Sequence, residues 1–131
     1  YFYNVYGPKQ ISKGKMATVI GIFEEAYKNR KPLPVVRPGN QSRRFTHIDD
    51  TIRVCYIAWK KNLSRHYSIS SKQSHSIIEV AKMFKSRIKY LDKRPGERYA
   101  SALTKMNLSN KVYRYFGKIK LTDYVNNLLK N

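Results

Sequence analysis

With 131 residues, 41% of them hydrophobic and 27% charged, the chain has one domain's worth of sequence, and its single cysteine, Cys55, excludes a disulfide framework within the chain. No apolar run approaches the roughly 18 residues of a membrane-spanning helix and no signal-peptide pattern opens the sequence, so a reducing, cytoplasmic setting without a membrane is expected. The formal net charge of +19 raises a basic nucleic-acid-binding module as an alternative class, but the cations are scattered, without a nucleic-acid motif or zinc spacing, and read as lysines on solvated faces.

Taken in chain order, residues 1–6 are strand-like and stop at Gly7-Pro8, before a polar loop over 9–15. With no initiator methionine or cap before it, this opening reads as the tail of something longer. Met16, Val19, Ile20, Phe23 and Tyr27 recur at helical spacing and predict a helix that ends before Pro32. Residues 33–36, ending in the β-branched pair Val35-Val36, read as a short strand or extended segment. The loop 37–47 then carries three arginines, Arg37, Arg43 and Arg44, and leads into a helix over 48–61 that Asp49 or Asp50 can cap and that closes on Lys60-Lys61. The stripe Ile48, Ile52, Cys55, Tyr56 and Trp59 marks that helix's predicted core face, which makes Cys55 a core residue rather than a nucleophile.

Residues 66–70 alternate as a strand should. Ser76 with Glu79 has capping-box spacing, and Ile77, Val80, Ala81, Phe84 and Ile88 continue one helical face into a short extended piece over 88–91. A second turn, Arg94-Pro95-Gly96-Glu97, follows. Two last helices are predicted over 109–116, capped by Gly117, and over 122–129, burying Val125, Leu128 and Leu129. Strands alternating with about five helices give an α/β class, as one region over 1–131.

Guanidinium groups pair bidentately with phosphate oxygens, so the two arginine-bearing turns, if they face one cleft, suit a nucleotide. Metal chemistry has no support, because His47, His66 and His75 lie at no ligand spacing, and His47 beside a helix start reads as structural. The six glycines never approach Gly-x-Gly-x-x-Gly, so the chain alone is expected to bind no NAD. Tyr-x-x-x-Lys occurs at Tyr27 with Lys31 and Tyr56 with Lys60, but both tyrosines fall on predicted core stripes and no catalytic residue is assigned.

Three segments, Asn4-Val5-Tyr6-Gly7-Pro8, then Arg43-Arg44-Phe45-Thr46-His47-Ile48-Asp49-Asp50, then Arg94-Pro95-Gly96-Glu97, resemble in order the signatures of the extended short-chain dehydrogenase/reductase family. Within it the chain is similar to nucleotide-sugar epimerases of the UDP-glucose 4-epimerase type, over their C-terminal substrate-binding lobe and without the N-terminal Rossmann half. The resemblance implies that Asn4 meets the sugar nucleotide and that the backbone of Val35 and Val36 borders the base. It puts Arg43 and Arg94 on the diphosphate and Glu97 on the ribose hydroxyls. Asp50 matches an acidic residue read as helix capping.

In the complete family enzyme, the resemblance implies, NAD takes a hydride from the sugar and returns it to the other face, with an upstream tyrosine as base. Expected partners are a UDP-sugar and the NAD-binding region or chain, with a homodimer left open. A nucleotide-sugar 4,6-dehydratase fragment is the nearest alternative. The chain departs from the family pattern at Arg37-Pro38-Gly39, where Gly-Asp-Gly is common, at Arg44 in place of an aspartate, and at Tyr1 in place of an arginine.

Overall fold

The computed structural model describes residues 1–93 and 112–131, so the predicted turn at Arg94 to Glu97 lies outside the described residues. Twelve elements follow in order: β1 (Val5–Tyr6), α1 (Val19–Lys28), β2 (Leu33–Val36), β3 (Ser42–Arg43), β4 (Thr46–His47), α2 (Ile48–Lys61), β5 (His66–Ser70), β6 (His75–Ser76), α3 (Ile77–Met83), β7 (Ile88–Leu91), β8 (Val112–Phe116) and α4 (Leu121–Leu129). The strands form two-stranded ladders. β1 with β4, β2 with β7 and β5 with β8 are parallel, and β3 with β6 is antiparallel. Among the described residues no helix is long and apolar enough to cross a membrane.

Local chemistry sets the helix starts. The Thr18 hydroxyl accepts the Gly21 N–H at 3.0 Å and begins α1, and Ser76 and Glu79 form a full capping box on α3. At α2 the cap is His47, whose Nδ1 accepts the Asp49 N–H at 3.1 Å. Neither aspartate is the cap. Asp49 and Asp50 instead occupy the first turn, where negative charge meets the positive helix end, and Lys60 and Lys61 occupy the last.

α1 buries Ile20 and Phe23, and α3 buries Val80 and Ala81, with Phe84 just beyond its end; Phe23 and Phe84 meet edge to face at 5.9 Å. Leu33 and Val35 of β2 and Leu121 and Val125 of α4 complete the core. The buried Glu24 carboxylate accepts from Gln10 Nε2 at 2.9 Å and from the Tyr124 hydroxyl, which ties α1, the loop before it and α4 together.

Four expectations are corrected. Residues 112–116 are strand β8 rather than helix, because Val-Tyr-Arg-Tyr-Phe is β-branched and aromatic, and Tyr113 and Tyr115 stack on Tyr67 across the ladder at 5.7 and 6.4 Å. Gly117 therefore caps no helix, and the described residues hold four helices. α1 begins at Val19, which leaves Met16 outside it and exposed, and the α3 face ends at Phe84, since Ile88 belongs to β7. Finally, α2 turns Thr51 and Val54 inward, so the stripe of Ile52, Cys55, Tyr56 and Trp59 faces out and Cys55 is exposed.

Candidate functional site

The loop from Arg37 to Gln41 is fixed on the first turn of α3. The Ile78 N–H donates to the Gly39 carbonyl at 2.9 Å and the Ile77 N–H to the Gln41 carbonyl at 3.0 Å, so two helix-terminal donors are satisfied by loop oxygens. Gly39 holds a φ of +80°, and a Cβ there would lie 2.9 Å from Val35 Cγ1. From this anchor the chain enters β3, where Ser42 and Arg43 pair with Ser76 and His75.

The two consecutive arginines then part. Arg43 lines a cavity of about 420 Å³. Arg44 turns to the main chain of the next loop, donating Nη1 to the carbonyls of Ser71 at 2.8 Å and Lys72 at 2.7 Å. Opposite β3, Asn4 has a left-handed φ of 42°, a conformation asparagine tolerates, and its Nδ2 donates to the Arg44 carbonyl at 3.2 Å. Asn4 and Arg43 thus reach the same cavity from two distant parts of the sequence.

The apolar lining comes from Val19, Ile22 and Phe23 of α1, Pro34 and Val36 of β2, Phe45, and Leu91 of β7. Strand alternation decides which residue of β2 does what: Leu33 and Val35 are fully buried in the core, while Pro34 and Val36 face the cavity. Val35, expected beside the base, is fully buried and does not line the cavity. The Arg37 N–H donates to the Leu91 carbonyl at 2.8 Å, which places the end of β7 beside the arginine loop. Arg94 and Glu97 lie outside the described residues.

Thr18, Gln41 and Arg43 supply further polar groups, and no carboxylate lines the cavity among the described residues. The N-terminal turn of α1 also borders it, so a guanidinium and the positive end of a helix share an apolar hollow within the usual size of ligand sites. Chemically, that combination suits an anion carrying a flat or apolar part. Thr18, Gln41, Phe45 and Leu91 were not foreseen as lining residues. The N-cap position of Thr18 was the one local signal available, and the rest depends on the packing of α1 against β2.

Other chemistries fit less well. Among the described residues no three metal-ligating side chains cluster. His47 is buried, caps α2 and meets Tyr6 and Tyr124 edge-on, as a structural histidine does. Lys60 lies over the rings of Tyr56 and Trp59 at 5.9 and 5.3 Å, and Lys31 lies past the end of α1. Asp50 is buried and accepts the Ile119 N–H at 2.9 Å, a tether rather than a cap. The described helices start from Thr18, His47, Ser76 and Lys120, and among the described residues none of these starts is a glycine-rich turn.

A sequence model of the NAD dependent epimerase/dehydratase family matches residues 1–70. The putative UDP-glucose 4-epimerase of Methanocaldococcus jannaschii is 33% identical over 102 residues, which is 73% of this chain and 33% of that protein. The dTDP-L-rhamnose 4-epimerase of Burkholderia thailandensis is 29% identical over 82 residues, 61% of this chain and 23% of that protein. The chain thus spans about a quarter to a third of the length of these curated relatives.

Among solved structures, the UDP-glucose 4-epimerase of Thermotoga maritima with UDP-glucose superposes with a TM-score of 0.78 at 20% identity, covering 98% of this chain and 43% of that one. At that identity the likeness is one of fold. The match across residues 1–70, more than half of the sequence, shows that the chain belongs to the NAD dependent epimerase/dehydratase family.

Proposed function

We propose that the chain is the substrate-binding region of an NAD-dependent nucleotide-sugar epimerase of the UDP-glucose 4-epimerase type, working in the cytoplasm. The observation that carries this is the meeting of Asn4 and Arg43 in one cavity walled by Val36 and Leu91. In this reading Arg43 holds the diphosphate, joined by Arg94, and Glu97 accepts from the ribose hydroxyls. Asn4 faces the sugar nucleotide, and the main chain of Val35 and Val36 borders the base. NAD is held by residues other than these, and the chain on its own grips substrate without turning it over.

Calorimetric titration of the purified chain with UDP-glucose tests the reading, with dTDP- and ADP-sugars as comparators. Saturable binding that favours the UDP-sugar supports it, and no heat at millimolar UDP-glucose sinks it. Conversion of UDP-glucose to UDP-galactose by the purified chain would overturn the assignment of a grip without turnover. Sequence-independent DNA binding with a steep salt slope, in place of UDP-sugar binding, would mark a basic nucleic-acid module.

A further inference from the structure

A chain of hydrogen bonds runs from the edge of the Arg43 cavity into the core. Thr18, which lines the cavity, donates its hydroxyl to Gln10 Oε1 at 2.9 Å, while the same hydroxyl oxygen accepts the Gly21 N–H at 3.0 Å. Gln10 Nε2 donates in turn to Glu24 Oε1 at 2.9 Å, and that oxygen also accepts from the Tyr124 hydroxyl of α4. A carboxylate can only accept, so Glu24 fixes which end of the Gln10 amide faces it and which faces Thr18. The direction of every bond is thereby set from the buried end outward. The main chain repeats the clamp, since the Thr18 N–H donates to the Ile11 carbonyl at 3.0 Å. The fit is close as well: a Cβ on Gly21 would lie 2.5 Å from the Ile11 oxygen and 2.8 Å from Thr18 Oγ1.

We infer that Gln10, Glu24 and Tyr124, none of which lines the cavity, are positioning residues for its ligand, because they hold Thr18 and the first turn of α1 against it. Only the identity of that ligand rests on the UDP-sugar reading. Thr18, Val19 and Ile22 wall the cavity from this end of α1, so any shift of the turn moves the wall. Apolar side chains filling the same space would avoid the desolvation of a carboxylate that is 8% exposed, and would supply cohesion without direction. What the polar chain adds is one orientation of the Thr18 side chain and one seating of α1, at the helix end whose partial positive charge borders the cavity. A wall already in place spares the ligand the cost of ordering it.

Two measurements on the purified chain test this. Amide hydrogen exchange without ligand reads the seating itself: Gln10→Met is expected to speed exchange at Gly21 and Ile22 about tenfold more than at Leu33, whose N–H is held by the Arg87 carbonyl, and Tyr124→Phe gives the same pattern more weakly. An equal rise at all three amides, or none, overturns the inference. Calorimetry then reads the grip. Gln10→Met is expected to weaken UDP-glucose binding about fivefold and Thr18→Val about tenfold, and the double variant binds no more weakly than Thr18→Val alone, because Gln10 acts through Thr18. Thr18→Ser keeps both bonds and recovers the affinity that Thr18→Val loses. Val125→Ala, which removes core packing in α4, lowers Tm and leaves affinity unchanged, so lost stability is not mistaken for lost position. Additive losses, wild-type affinity in Gln10→Met, or an equal loss in Val125→Ala overturn the inference. A wild-type chain that takes up no UDP-glucose counts against the UDP-sugar reading, and the exchange pattern alone then decides the positioning role.

Discussion

The buried carboxylate of Asp50 accepts the main-chain N–H of Ile119 at 2.9 Å and so ties the first turn of α2 to the segment that enters α4. Arg53 Nη2 lies 3.7 Å from the other carboxylate oxygen. A charge-assisted hydrogen bond to a buried group contributes about 1.5–3 kcal/mol, and its loss also strands the amide. Asp50→Ala is expected to lower unfolding stability by about 3 kcal/mol, whereas Asp50→Asn, which keeps an acceptor oxygen, costs about 1 kcal/mol. Urea unfolding midpoints check both, and equal losses would show that the acceptor oxygen is not what matters.

Adjacent arginines should behave differently. Arg43 lines the cavity, while Arg44 is committed to the carbonyls of Ser71 and Lys72. Arg43→Ala is expected to weaken UDP-glucose binding tenfold or more, about 1.4 kcal/mol. Arg43→Lys recovers part of that, because an ammonium keeps the charge and loses the planar fork. Arg44→Ala leaves affinity within about threefold but lowers stability by about 1 kcal/mol as two carbonyls lose their donor. Calorimetry and thermal unfolding on the three variants separate grip from support.

Two phenols make the fold sensitive to alkali. Burial, and then the nearby Asp50 and Asp123 carboxylates, push the Tyr6 hydroxyl well above its ordinary range. Tyr124 is pushed up by burial and by its hydrogen bond to Glu24. A group whose folded value is raised contributes stability that is complete below its unfolded value of about 10 and is lost as pH rises beyond it. Tm is therefore expected to fall above about pH 10 by more in the wild-type chain than in Tyr6→Phe combined with Tyr124→Phe. Parallel Tm curves for the two proteins would exclude the phenols as the cause.

How much of this could be read from residues alone varies with how local each signal is. The capping box at Ser76 and Glu79 and the bounds of β5 and α2 are written in neighbouring residues and agree with the structure, whereas the burial of β5 does not alternate, Ile69 and Ser70 both being buried. β8 was not legible, because Val112 to Phe116 fits either a strand or a helix until Tyr67 is placed opposite Tyr113. The α2 stripe has true helical spacing, yet which face turns inward is settled by the packing of α2 on β5 rather than by hydropathy. At the site, the arginine loop stands out in the sequence, and the structure brings one of its arginines to the cavity. The family resemblance alone singles out Arg43 over Arg44, and the structure brings Arg43 to the cavity from the β3–β6 register.

That register depends on Gly39, and a contrast between two glycines tests it. Gly39 and Gly14 both hold a left-handed φ, of +80° and +81°, so an alanine at either carries a similar backbone penalty of about 1 kcal/mol. Their surroundings differ. A Cβ on Gly39 would meet Val35 Cγ1 at 2.9 Å and Ile78 Cβ at 3.3 Å, whereas one on Gly14 meets nothing within 4 Å. Val35 and Ile78 belong to β2 and α3, the two elements between which the arginine loop is held, so relief of the clash must lift the loop off α3. Gly14→Ala is expected to cost about 1 kcal/mol and leave UDP-glucose affinity unchanged. Gly39→Ala should cost about 2–3 kcal/mol and weaken affinity severalfold as Arg43 loses its position. Equal losses of stability and affinity in the two variants, by urea unfolding and calorimetry, would show that the loop's anchorage on α3 does not position the guanidinium.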